Sequence, residues 1–176
     1  MNRLLDAKSG FRRAVLVVAV ATGAMLYAGT ALAHQADGCS DETLKGTYGL
    51  RVSGEVLEGS SSTVVQFKDG VDLATFDGKG NFSQEDFVLS NGALMTEQPT
   101  NPDGFNDGES GPYMVNPDCT GTFTINETAS GVVIIAMFVL TNGGQTMHAI
   151  VSSLTITTPG GPVTPNASIH ADGERQ

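Results

Sequence analysis

Residues 71–89 read VDLATFDGKGNFSQEDFVL. Two β-favouring runs, Val71–Phe76 and Phe82–Leu89, flank Asp77-Gly78-Lys79-Gly80. Glycine accepts the positive φ that a tight turn needs, so the stretch reads as a β-hairpin. The pattern repeats on both sides. In Thr47–Val56, Tyr48, Leu50 and Val52 alternate with Gly49, Arg51 and Ser53, the period-two signature of a half-buried strand. Thr63–Phe67 is a short β-rich run. Gly111–Val115, Gly121–Asn126, Val132–Leu140, Gln145–Thr157 and Ala167–Glu174 follow, with Asn142-Gly143 as a second hairpin turn. About eight or nine short strands with turn residues between them predict an all-β fold. The reading is a small antiparallel up-and-down β-barrel of about eight strands, with a β-sandwich as the alternative. Closure removes the exposed edges that invite aggregation.

Three stretches depart from simple alternation. Val132–Leu140 is apolar on both faces, so its outer face must be covered by another element or by a second copy of the chain. A homo-oligomer through residues 132–140 is therefore one expected partner. Ser90–Pro112, rich in Asn, Gly, Pro and acid, reads as a long surface excursion, in its functional version a lid over the barrel mouth. Thr158–Pro165 reads as a shorter, stiffer excursion.

The N-terminus reads as an export signal. Arg3, Lys8, Arg12 and Arg13 precede an uncharged apolar run, Ala14–Ala28, and Thr30-Ala31-Leu32-Ala33 supplies a small-x-small cleavage pattern. Residues 1–33 are then a signal peptide and 34–176 a single domain. The apolar run is shorter than the roughly 20 residues that span a bilayer, so no stable membrane insertion is expected after cleavage. The chain carries a net charge of −10, which argues against nucleic acid as a partner, and loss of the basic leader makes the remainder more acidic still. Its 40% hydrophobic and 16% charged residues exclude a disordered chain. Cys39 and Cys119 are the two cysteines, and in an oxidising periplasmic or extracellular compartment they should pair as a disulfide.

Several blocks recur together elsewhere. Cys39, Leu44-Lys45-Gly46-Thr47-Tyr48-Gly49, Phe76–Asn81, the block from Gly111 to Thr122 with Asn116-Pro117-Asp118-Cys119-Thr120-Gly121, and a late strand ending near Gly173 resemble a group of small exported bacterial proteins. That group more often carries threonine where this chain has Pro112. Its pattern is similar to calycin and allene-oxide-cyclase-like β-barrels. The resemblance implies a fold and export, and no activity. The motif residues themselves read as turn chemistry.

Candidate chemistry is sparse. No nucleophile elbow selects a Ser-His-Asp triad. Asp103, Asn106, Asp107 and Glu109 offer oxygen ligands, but Phe105 and Met114 break a calcium-loop pattern. Cleavage after Ala33 would expose the amine and imidazole of His34, which with His148 or His170 could form a copper-binding histidine brace. No cofactor is otherwise expected. The favoured reading is non-catalytic binding of a small, largely apolar molecule in the barrel lumen. Its expected lining is Tyr48, Leu50, Val52, Phe82, Phe123, Ile134, Phe138 and Met147. A barrel cyclase or isomerase, using carboxylates or Tyr113 as polar handles, is the alternative, followed by periplasmic copper binding and a structural surface protein.

Overall fold

The computed structural model describes residues 38–59, 63–94 and 102–176. Residues 1–33, read from the sequence as a signal peptide, and His34 lie outside these residues. A short 3-10 helix, Asp41–Leu44, leads into β1 (Gly46–Leu57), β2 (Val64–Phe76), β3 (Asn81–Ser90), β4 (Ala93–Leu94), β5 (Asn106–Val115), β6 (Thr120–Glu127), β7 (Val132–Thr141), β8 (Thr146–Thr158), β9 (Gly161–Val163) and β10 (Asn166–Arg175). Neighbouring strands pair antiparallel, and β10 bonds to both β8 and β1. Eight strands thereby close into an antiparallel β-barrel, consistent with a calycin-like architecture. Strands β4 and β9 are short additions to β3 and β8.

The excursions are smaller than the sequence suggests. Within Ser90–Pro112, β4 folds back on β3, and β5 begins at Asn106 rather than at Gly111. The register of β3 against β5 shifts between Gln84 and Asp86, so Asn106 and Glu109 both turn inward around a bulge. A strand with polar residues on its inner face carries no apolar alternation, which is why it reads as loop. Likewise Thr158–Pro165 contains β9, and the two runs Thr63–Phe67 and Val71–Phe76 belong to one continuous β2.

One end of the barrel is packed solid. The helix lies across it and drives Leu44 into the interior, where Leu44, Tyr48 and Met147 are fully buried. Asp41 ties the helix to β5. Its carboxylate accepts from the Val115 amide at 2.8 Å, and its carbonyl accepts from the Tyr113 hydroxyl at 3.0 Å. Phe76 stacks with Phe82 at 5.3 Å and meets the edges of Tyr48 and Tyr113. Phe138 packs onto the backbone of Gly121, its register partner on β6; a Cβ there would sit 2.2 Å from the ring.

The turns at this end have the chemistry read from sequence. Gly78 adopts φ +77, and the Asp77 carboxylate accepts from the amides of Lys79 and Asn81. In the Asn116–Thr120 turn, the Asp118 carboxylate accepts from the Thr120 amide and hydroxyl. Cys119 leaves this turn to form the disulfide with Cys39, and the Cys39 amide donates to the Pro117 carbonyl at 3.1 Å.

Arg175, the last residue of β10, completes the closed end. Its guanidinium donates to the Tyr48 hydroxyl at 2.8 and 3.1 Å and to the Thr43 carbonyl, and it stands 5.4 Å from the Tyr48 ring centre. The Tyr48 hydroxyl in turn donates to the Gly144 carbonyl. Tyr48→Phe removes the acceptor for Arg175 and the donor for Gly144 in a fully buried place. It should cost about 1–3 kcal/mol in urea unfolding. A change within error would show that the clasp contributes nothing.

Candidate functional site

Above the packed end the lumen opens into a cavity of about 460 Å³. Its two walls differ. Leu50 and Val52 of β1, Ile134 of β7, Val151 and Leu154 of β8 and Ile169 of β10 make an aliphatic wall. Phe123 and Ile125 of β6 also line it, and Phe123 belongs to the packed core below. The other wall, on β2, β3, β5 and β6, carries Lys68, Asp72, Gln84, Asp86, Glu109 and Glu127.

Register places the carboxyl groups side by side. Asp72 of β2 is directly opposite Asp86 of β3, and Glu109 of β5 is directly opposite Glu127 of β6. Asp86, Glu109 and Glu127 are 5%, 3% and 7% exposed, values seldom seen for acidic side chains without partners. One amide bridges the two pairs and a second serves Glu109 alone. Asn106 donates to Asp86 Oδ1 at 3.1 Å and to Glu109 Oε1 at 3.2 Å, while Gln84 donates to Glu109 Oε2. Ser130 donates to Glu127 Oε2. Asp72 is different: its Oδ1 is enclosed and has no hydrogen-bond partner among the described residues.

Burial sets the protonation of this wall. It pushes Asp72 up to about 8, with the Asp86 charge adding to the shift. Asp86 rises to about 6, chiefly through burial, against the stabilising bond from Asn106 and with help from the Glu127 charge. Glu109 is raised by burial first, then by its hydrogen bond to Glu127 and by the charges of Asp86 and Glu127; the Gln84 bond opposes this. Burial lowers Lys68, opposed by the charge of Glu127.

Of the eight residues expected to line a binding lumen, Leu50, Val52, Phe123 and Ile134 face the cavity. Tyr48, Phe82, Phe138 and Met147 lie in the packed end instead. The polar wall was missed, although Gln84 and Asp86 follow Phe82 at steps of two and Glu127 follows Phe123 at four. The two described histidines are solvent-exposed. His148 Nδ1 meets Asp172 Oδ1 at 2.6 Å, and His170 Nε2 meets Ser53 Oγ at 3.0 Å. Among the described residues no group of three or more His, Cys, Asp or Glu is arranged to hold a metal ion. No protein-family model, curated protein or solved structure matches the chain.

The carboxyl wall makes stability depend on pH. Asp72 and Asp86 bind their protons more tightly in the folded protein than in the unfolded chain. Their contribution to folding is therefore full below the ordinary value of 3.8 and is lost as pH rises toward about 8. Asp77 and Asp118, held low by hydrogen bonds in exposed turns, act in the opposite sense at more acid pH. The ligand-free protein should melt higher at about pH 5 than at about pH 8, and Asp72→Asn should recover about 1 kcal/mol at the higher pH. A melting temperature that is flat across this range, or an Asp72→Asn variant less stable at pH 8, would contradict this assignment.

Proposed function

We propose that this is an exported binding protein that holds one small, largely apolar molecule in its barrel lumen. The observation that carries the reading is the 460 Å³ cavity, within the size range of small-molecule sites and backed by aliphatic side chains from β1, β7, β8 and β10. The packed floor and the helix plug support it, because they leave the cavity to one half of the barrel. The Cys39–Cys119 disulfide fits an oxidising compartment outside the cytoplasm, in keeping with the leader-like N-terminus.

A second reading has its own support. Carboxyl groups that hold protons inside an apolar cavity suit a cyclase or isomerase, where Glu109 or Asp72 would act as general acid. The two readings part on whether a bound compound leaves unchanged.

Self-association through β7 is a further proposal. The outward side chains Ile135, Met137 and Val139 are exposed, with Met114 and Ile150 also exposed on the same side of the sheet. Sedimentation of the wild type and of Met137→Glu tests it: a dimer lost in the variant supports it, and a wild-type monomer at every concentration removes it.

For the lumen, a neutral polarity-sensitive fluorophore should bind with one-to-one stoichiometry and blue-shifted emission. Val52→Trp, which fills the cavity from the aliphatic wall, should weaken that binding about tenfold or more while circular dichroism stays β-rich. Equal binding by the variant would place the probe outside the lumen.

A further inference from the structure

We propose that the molecule held in the lumen carries a protonated amine at one end of a short apolar body, with the amine between Asp72 and Asp86 and the body along the aliphatic wall opposite. The inference rests on the lumen-binding reading and adds the chemical class of the ligand.

Around the acidic wall the available amide donors are committed. Asn106 serves Asp86 and Glu109, Gln84 serves Glu109, and the hydroxyl of Ser130 serves Glu127. Asp72 Oδ1 is buried in the same wall and receives no hydrogen bond from the described residues. A buried acceptor without a donor is costly, and the two directly opposed carboxyls repel each other whenever both are ionised. Both costs fall when a group bearing positive charge and several N–H donors enters between Asp72 and Asp86 and the Asp72 carboxyl turns to meet it. An alkylammonium has three such donors.

Other ligand classes fit less well. A carboxylate or phosphate head would face Asp72, Asp86, Glu109 and Glu127 together, with Lys68 as the cationic side chain of that wall. A neutral alcohol would serve one acceptor and leave the opposed charges uncompensated. For a divalent metal, which needs several converging oxygen ligands, no group of His, Cys, Asp or Glu among the described residues has the arrangement. The aliphatic wall then selects an amine with an apolar body over a small free cation.

Burial raises Asp72 and Asp86, so the empty site is partly protonated near neutrality. The other titratable groups that line the same cavity are Lys68 on β2, Glu109 on β5, Glu127 on β6 and His170 on β10. Entry of an ammonium favours the ionised form of both aspartates, so binding must expel protons and weaken on acidification.

Isothermal titration calorimetry of the protein with decylamine, decanol and decanoate tests this directly. At about pH 8, decylamine should bind about tenfold or more tighter than decanol, with decanoate weakest. Near pH 7, amine binding should release protons to the buffer, read from the dependence on buffer ionisation heat. Asp72→Asn should reduce the amine preference and the proton release together, while decanol binding stays. Equal affinity for the three compounds, or a preference for decanoate, would overturn the amine assignment and leave the apolar lumen standing. No binding of any of them would overturn both.

Discussion

Arg175 ties the C-terminal strand to the N-terminal part of the chain. It reaches from the end of β10 to the Thr43 carbonyl of the plug helix and to the Tyr48 hydroxyl of β1, and Tyr48 passes the link on to Gly144 in the β7–β8 turn. A barrel exists only if its first and last strands meet, and here that seam is long: Tyr48 pairs with Arg175 at one end and Leu57 with Asn166 at the other. The clasp fixes the register at the packed end of the seam. A slip of one residue would send Leu50 and Val52 outward and turn the cavity wall polar. The disulfide holds the segment before the helix against the β5–β6 turn and so keeps the plug in place. Closing a loop of 80 residues gives it a contribution of about 4–5 kcal/mol on the chain-entropy account.

With one end closed so firmly, the other is free to carry a less comfortable arrangement. The packed half has the aromatic density of an ordinary core. The open half sets register-paired carboxyls against aliphatic strands. As a matter of stability alone this is a poor choice, since four acidic groups share one wall and one carboxylate oxygen is enclosed without a donor among the described residues. Such features concentrate where a protein uses them, and a ligand that supplied the missing charge would turn a folding cost into binding selectivity. The fold alone says nothing of this, because small barrels host many unrelated functions.

Much of the architecture was legible in the sequence. Asp77-Gly78-Lys79-Gly80 set one hairpin and Asn142-Gly143 another, and the alternation of Tyr48, Leu50 and Val52 gave the inner face of β1. Pairing of Cys39 with Cys119 followed from compartment and count. The acidic wall was not legible, for a physical reason. Period-two reasoning assigns apolar residues to the interior, yet on β2 the inward set is Asp72, Ala74 and Phe76 while Val71 and Leu73 are exposed. On β5 the bulge turns both Asn106 and Glu109 inward, a spacing of three that no alternation rule finds. The side chains of Tyr48, Phe82, Phe138 and Met147 lie in the packed core below the cavity, because alternation gives the side of a strand and not the level at which the core ends.

The most direct test of a built lumen site is native mass spectrometry of the protein purified from its native source under gentle conditions. The account predicts a population heavier than the bare polypeptide by one small organic mass, lost on denaturation and lost also when the sample is acidified to about pH 5 before spraying. A chain that carries no organic mass when purified, and takes none up from an extract of that source, would contradict it.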